Sequence, residues 1–207
     1  MGESISEPGR EEYSTEKMRE YLKEYRAAKI ALIKGAALVR HHGVSHRDFK
    51  VGCCAMGKEP EGQVDKVEEF LLGLGGKSKE PAIGDKGLVV YSAYNFTLEP
   101  ARPGRLPEEK KCAERNAIEA ALSKRCELIV AIVTVSKETA TGDPSKERGV
   151  LHPCRECRDL YRGLLQQGIL REESIICCVN DAGAKPVEEE RTVKELLAMY
   201  ADDEKDN

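Results

Sequence analysis

Leu128-Ile-Val-Ala-Ile-Val-Thr-Val135 places apolar side chains on both faces of an extended chain. A half-exposed strand alternates apolar with polar residues, so this run belongs inside a sheet covered on two sides. Both flanks read as helices. Upstream, Ala113, Ala117, Ile118, Ala121 and Leu122 give Cys112 to Lys124 helical spacing; downstream, Leu160, Leu164 and Leu165 do the same before Gly168 supplies a stop. A buried strand between two helices predicts an α/β architecture with a sheet sandwiched between helices.

Further strands are expected at Phe49-Lys-Val-Gly-Cys-Cys-Ala-Met56, Gly87 to Asn95 and Ser174 to Val179. From Thr15, Met18, Leu22, Tyr25, Ile30, Leu32, Ile33, Ala36 and Ala37 recur near helical spacing, with Gly43 as a stop after His41 and His42. The two histidines suit the negative end of the helix dipole. A closing helix is expected from Arg191-Thr-Val-Lys-Glu-Leu-Leu197. The predicted order is helix, two strands, helix, strand, helix, strand, helix: a three-layer α/β/α fold, its central mixed sheet flanked by helices.

The 207 residues suit one core rather than two domains. We expect a disordered acidic tail at 1–14, a single domain at 15–200 and a polar tail at 201–207. Insertions are expected at about 59–86 and 136–149. Within the first, Val64, Val67, Phe70, Leu71 and Leu74 predict a short helix. Gly73-Leu-Gly-Gly-Lys77-Ser78 is not read as a phosphate loop, because Leu71 stands where a glycine is needed and no strand precedes it.

Net charge is −4 and the pI about 5.7, with basic and acidic residues interleaved. That argues against a surface that tracks phosphates, and so against a nucleic-acid partner. No apolar run approaches the roughly 20 residues that span a bilayer, and the acidic start lacks the marks of a signal peptide, so no membrane partner and a cytoplasmic location are expected. In that setting the eight cysteines stay reduced. Cys53, Cys54, Cys126, Cys177 and Cys178 read as small buried hydrophobes.

Two short strings hold the chemistry: Cys112-Ala113-Glu114 and Pro153-Cys154-Arg155-Glu156-Cys157. Cys154 and Cys157 are three apart in a first helical turn, which projects both sulfurs from one face, and Pro153 suits a helix start. Cys112 also opens a helix, where free N–H groups favour a thiolate. Three soft thiolates suit one Zn²⁺ per chain, with a fourth position open to water and Glu114 as a carboxylate that is not a ligand.

The paired motif resembles that of the cytidine deaminase family in its three-cysteine, pyrimidine-nucleoside branch. Phe49-x-Val-Gly and the closing threonine-valine helix resemble the same family, and the resemblance implies a cytidine deaminase-like fold. It also implies hydrolytic deamination of cytidine, deoxycytidine or a near analogue. Glu114 would take a proton from a zinc-bound water, pass it to the ring nitrogen as hydroxide adds, and then protonate the departing ammonia. Arg115 resembles the family's arginine that donates hydrogen bonds to the zinc-bound sulfurs.

Substrate contacts implied by the resemblance are Asn95 for a ribose hydroxyl and Phe49 as a pocket wall. Thr97 stands where the family has a glutamate, and Glu99 substitutes only with a local shift of register. Several extra residues, Pro100 to Lys111, then change the rim of the pocket. Two other readings stay open: a deaminase of another aminated heterocycle, such as a blasticidin-type nucleoside antibiotic, and a catalytically silent zinc-binding relative. The resemblance further implies a homo-oligomer, dimer or tetramer.

Overall fold

The computed structural model of the chain describes residues 14–43, 50–60, 87–97, 110–137, 149–182 and 185–201. Helix α1 (Thr15–Arg40) is followed by β1 (Val51–Lys58), β2 (Leu88–Tyr94) and the short pair β3 (Phe96–Thr97) and β4 (Lys110–Lys111). Then come α2 (Ala113–Ser123), β5 (Leu128–Ser136), α3 (Arg155–Gln166), β6 (Ile175–Asn180), β7 (Val187–Thr192) and α4 (Val193–Met199). The sheet runs β2-β1-β5-β6-β7. Only the β5–β6 pair is parallel, so the sheet is mixed.

All of β5 is buried, as its two-sided apolar pattern requires. Alternation along the strands divides the core in two. One face packs Cys54, Met56, Val133 and Val135 against α1. The other packs Cys53, Ala55 and Ile132 against α2, α3 and α4. The result is a three-layer α/β/α architecture around a central sheet, as expected.

Helix α1 begins where the Ser14 hydroxyl accepts from the Lys17 amide at 3.2 Å. Met18, Tyr21, Tyr25, Ala28, Leu32 and Ala36 form its buried stripe, spaced three and four apart. Ile30, expected in that stripe, instead lies on the outer surface at 69 % exposure, because Tyr21 and Ala28 fix the helix's rotation. Contact with β1 is close. A Cβ on Gly52 would stand 1.8 Å from the Ala36 carbonyl oxygen, so the helix backbone rests directly on the strand backbone there.

Strand β7 is a correction to the expected order. Its Val-Glu-Glu-Glu-Arg-Thr sequence pairs antiparallel with β6 at the sheet edge, where the side chains are exposed or half-buried and no apolar alternation is needed. Thr192 then starts α4 with a capping box: its hydroxyl accepts from the Glu195 amide, and the Glu195 carboxylate accepts from the Thr192 amide. The expected inserted helix and glycine-rich string, the 1–13 and 202–207 tails and most of the second insertion lie outside the described residues. No described helix is long and apolar enough to cross a membrane. All eight cysteines are free, and the five read as small hydrophobes are buried.

Candidate metal and catalytic site

Helix α2 leads into the start of β5, and α3 leads into the start of the parallel β6. Both helices therefore run against these strands, and their N-termini meet at the strands' carboxyl ends, where open α/β sheets place their sites. Cys112 is the N-cap of α2 and Cys154 the N-cap of α3. Cys157 lies within the first turn of α3. Pro153 stands one residue ahead of the cap, and its carbonyl accepts from Arg158 Nη1 at 2.9 Å.

The topology gathers the three cysteines. Cys112 Sγ and Cys154 Sγ are 3.5 Å apart. All three sulfurs lie within 4.8 Å of one another. Sulfurs at about 2.3 Å from a tetrahedral zinc stand roughly 3.8 Å apart, so the triad fits zinc in both donor chemistry and spacing. Cys112 makes no side-chain hydrogen bond to its own helix start, whereas the Cys154 sulfur faces the N–H groups of Glu156 and Cys157 in the first turn of α3.

Electrostatically the triad behaves as a unit. Hydrogen bonds from Cys112 and Cys157 hold Cys154 down to about 2, helped by the backbone N–H groups of Cys157 and Glu156. The hydrogen bond to Cys154 pushes Cys112 up to about 12, and the bond to Cys112 leads the forces that raise Cys157. A divalent cation at the triad would hold all three sulfurs as thiolates.

Glu114 sits in the first turn of α2 at 6 % exposure. Burial pushes its carboxyl up to about 7, against a lowering by its own backbone N–H. Beneath it, Cys53 on β1, Thr134 on β5 and Cys178 on β6 form one row across the sheet. Thr134 bonds to Cys178 there. Tyr161, one turn after Cys157, is fully buried, and its hydroxyl has no hydrogen-bond partner among the described residues.

The remaining expected contacts divide. Arg115 is half-buried, and among the described residues no hydrogen bond joins it to the three sulfurs. Asn95 is buried at the end of β2, where its Oδ1 accepts from the Val51 amide at 2.7 Å. Thr97 falls in β3, of which only the backbone is described; Phe49 and Glu99 lie outside the described residues. Asn116 Nδ2 donates to the Tyr94 carbonyl at 2.9 Å, tying the first turn of α2 to the end of β2.

The row of Cys53, Thr134 and Cys178 and the orphan Tyr161 were missed in the sequence. Strand alternation hides the first, because small sulfur and hydroxyl side chains blend into an apolar run. The signal for Tyr161 was its position, four residues after Cys157 on one helix face.

Among the described residues one other group brings ligand-type atoms together: Cys177, Glu188 and Glu190. Lys29 already bridges both carboxylates, at 2.6 Å to Glu190, and the Tyr25 hydroxyl donates to Glu190 at 3.0 Å. An ammonium fills the cation's place.

No protein-family model matches the chain, and no curated protein does. Solved cytidine deaminases are similar to it. The enzyme from Burkholderia pseudomallei is 20 % identical, with a TM-score of 0.47, over 80 % of this chain and 93 % of that one. The enzyme from Mycobacterium leprae is 21 % identical, with a TM-score of 0.41, over 81 % of this chain and 94 % of that one. At these TM-scores, the triad and the buried Glu114 carry the functional reading without help from the likeness.

Proposed function

We propose that the protein is a zinc-dependent hydrolytic deaminase of cytidine, deoxycytidine or a near analogue. One observation carries this reading: three cysteine sulfurs gathered at two helix starts, with a buried carboxyl two residues from one of them. Cys112, Cys154 and Cys157 would hold one zinc ion, whose Lewis acidity brings a water's pKa toward roughly 7.

Glu114 does the proton work. As water adds to the amine-bearing carbon, its carboxylate accepts the water's proton and gives it to the ring nitrogen; it then takes the remaining proton and delivers it to the departing amine, which leaves as ammonia. A carboxyl held near 7 by burial is poised both to accept and to donate at neutral pH. Arg115 is assigned to the electrostatics of the sulfurs, Asn95 to a sugar hydroxyl, Phe49 to the pocket wall, and Thr97 or Glu99 to the place of the missing ribose carboxylate. The protein is assigned to the cytoplasm, where thiols stay reduced, and to a homo-oligomer.

A second reading, deamination of another aminated heterocycle such as a blasticidin-type nucleoside, draws on Asn95. Its carbonyl oxygen is engaged by the Val51 amide, which changes what it offers a ribose. Ammonia release, measured across cytidine, deoxycytidine, cytosine, adenosine and blasticidin S beside zinc content, separates the two. Release from cytidine or deoxycytidine supports the first; release from blasticidin S alone supports the second; silence throughout with zinc bound refutes both.

A further inference from the structure

Two of the three triad sulfurs come from one turn of chain, so the posture of that turn decides whether the triad can close on an ion. Cys154 caps α3 and Cys157 lies in its first turn, and the chain reaches them through His152 and the buried Pro153. Among the described residues, His152 and Pro153 make no backbone–backbone hydrogen bond. Secondary structure does not hold this approach; side chains do.

One residue of α4 reaches both ends of it. Tyr200, the C-cap of α4, places its hydroxyl 2.6 Å from His152 Nδ1, and the two rings meet edge to face with centroids 6.0 Å apart. The face of the same tyrosine ring takes the Arg158 guanidinium, whose carbon stands 3.9 Å from the centroid. Arg158 is buried, and its Nη1 turns back to donate to the Pro153 carbonyl at 2.9 Å. A buried charge without such partners is costly, so they fix where the guanidinium sits.

The sheet edge and the core anchor this arrangement. The Glu189 carboxylate on β7 stands 3.2 Å from His152 Nε2. A carboxylate only accepts, so Nε2 carries the hydrogen and Nδ1 is left to accept from the Tyr200 hydroxyl. Helix α4 is itself held by its capping box and by the buried Val193 and Leu196.

We propose that Tyr200 is a positioning residue for the metal centre: bonded to His152 ahead of the cysteine turn and stacked on Arg158 just after it, it holds Cys154 and Cys157 in place for zinc. The inference rests on the zinc reading above. A turn ordered before the ion arrives spares binding the entropy of ordering it.

The test uses the full chain loaded with zinc, and separately with cobalt(II), as wild type, Tyr200→Phe, Tyr200→Ala and Thr192→Ala. Chelator competition should show zinc held roughly 10-fold more weakly by Tyr200→Ala, as for lost outer supports of metal ligands, and its cobalt(II) absorption bands should shift. Tyr200→Phe keeps the ring over Arg158 and loses the bond to His152, so it should fall between Tyr200→Ala and wild type. Thr192→Ala loosens the same helix without touching these contacts, and should keep wild-type zinc affinity and cobalt spectrum.

A Tyr200→Phe with wild-type affinity and spectrum overturns the inference, and that variant decides alone where Tyr200→Ala does not fold. An equal loss of affinity in Thr192→Ala also overturns it, assigning the effect to the stability of α4. So does a fall in turnover with affinity and spectrum unmoved, which gives the ring to the substrate instead. Wild-type protein that takes up no zinc overturns the deaminase reading and this inference together; zinc-loaded wild type with an identical Tyr200→Phe refutes the tyrosine alone.

Discussion

The two faces of the sheet are built from alternate residues of the same strands, yet they do different work. Toward α1, β1 and β5 present Cys54, Met56, Val133 and Val135, apolar side chains that meet another apolar stripe. Toward α2 and α3 the same strands present Cys53 and Thr134, beneath Glu114 and Tyr161. One face is packed for stability alone. The other trades hydrocarbon for sulfur, hydroxyl and carboxyl, each of which needs a partner when buried. The comparison teaches that the candidate site residues are confined to one layer, while both layers carry a continuous apolar core.

The sharpest way to test that division is Glu114→Gln. Turnover should fall by roughly 10² to 10⁴ with zinc still bound, because the amide keeps the shape and loses the proton transfer. Steady-state kinetics beside metal analysis checks this; full activity would end the role assigned to Glu114. On the opposite face, Leu32→Ala should lower stability by roughly 2 to 5 kcal/mol, read by chemical denaturation, with zinc stoichiometry unchanged. Loss of zinc from that variant would break the division.

A pH series on metal-stripped protein probes the site face itself. The Glu114 carboxyl is raised by burial from 4.5 to about 7, so the folded state favours its neutral form. Its contribution is fully present below about pH 4.5 and is lost as pH rises through about 7, a decline of about 3 kcal/mol. Glu114→Gln should flatten that slope. The smallest effect is expected from Thr192→Ala, which removes the cap of α4 and should cost about 1 kcal/mol in thermal or denaturant unfolding.

Much of the site face was legible because its residues are chemically unusual. Cysteine at the spacing of Cys154 and Cys157 has few uses, and Glu114 two residues after Cys112 is a short-range pattern. Strand β5 was legible because burial on both faces leaves no freedom in composition. Strand β7 was not, because an edge strand is held by backbone pairing that the side chains do not record. Ile30 misled for a related reason: periodicity gives a helix, but the rotation of that helix is fixed by Tyr21, Tyr25 and Ala28 settling on the sheet. Tyr161 escaped because its meaning depends on what lies beneath α3, and three strands remote in sequence supply it.

The cap positions of α2 and α3 have a consequence for how freely this protein can change. Serine or aspartate at either position would strengthen the start of its helix by roughly 1 kcal/mol, the ordinary route to a sturdier fold. At Cys112 and Cys154 that route is closed, since the substitution that firms the helix also removes a sulfur from the triad. If the triad holds a metal as proposed, selection for robustness and selection for metal retention pull in opposite directions at the same two positions.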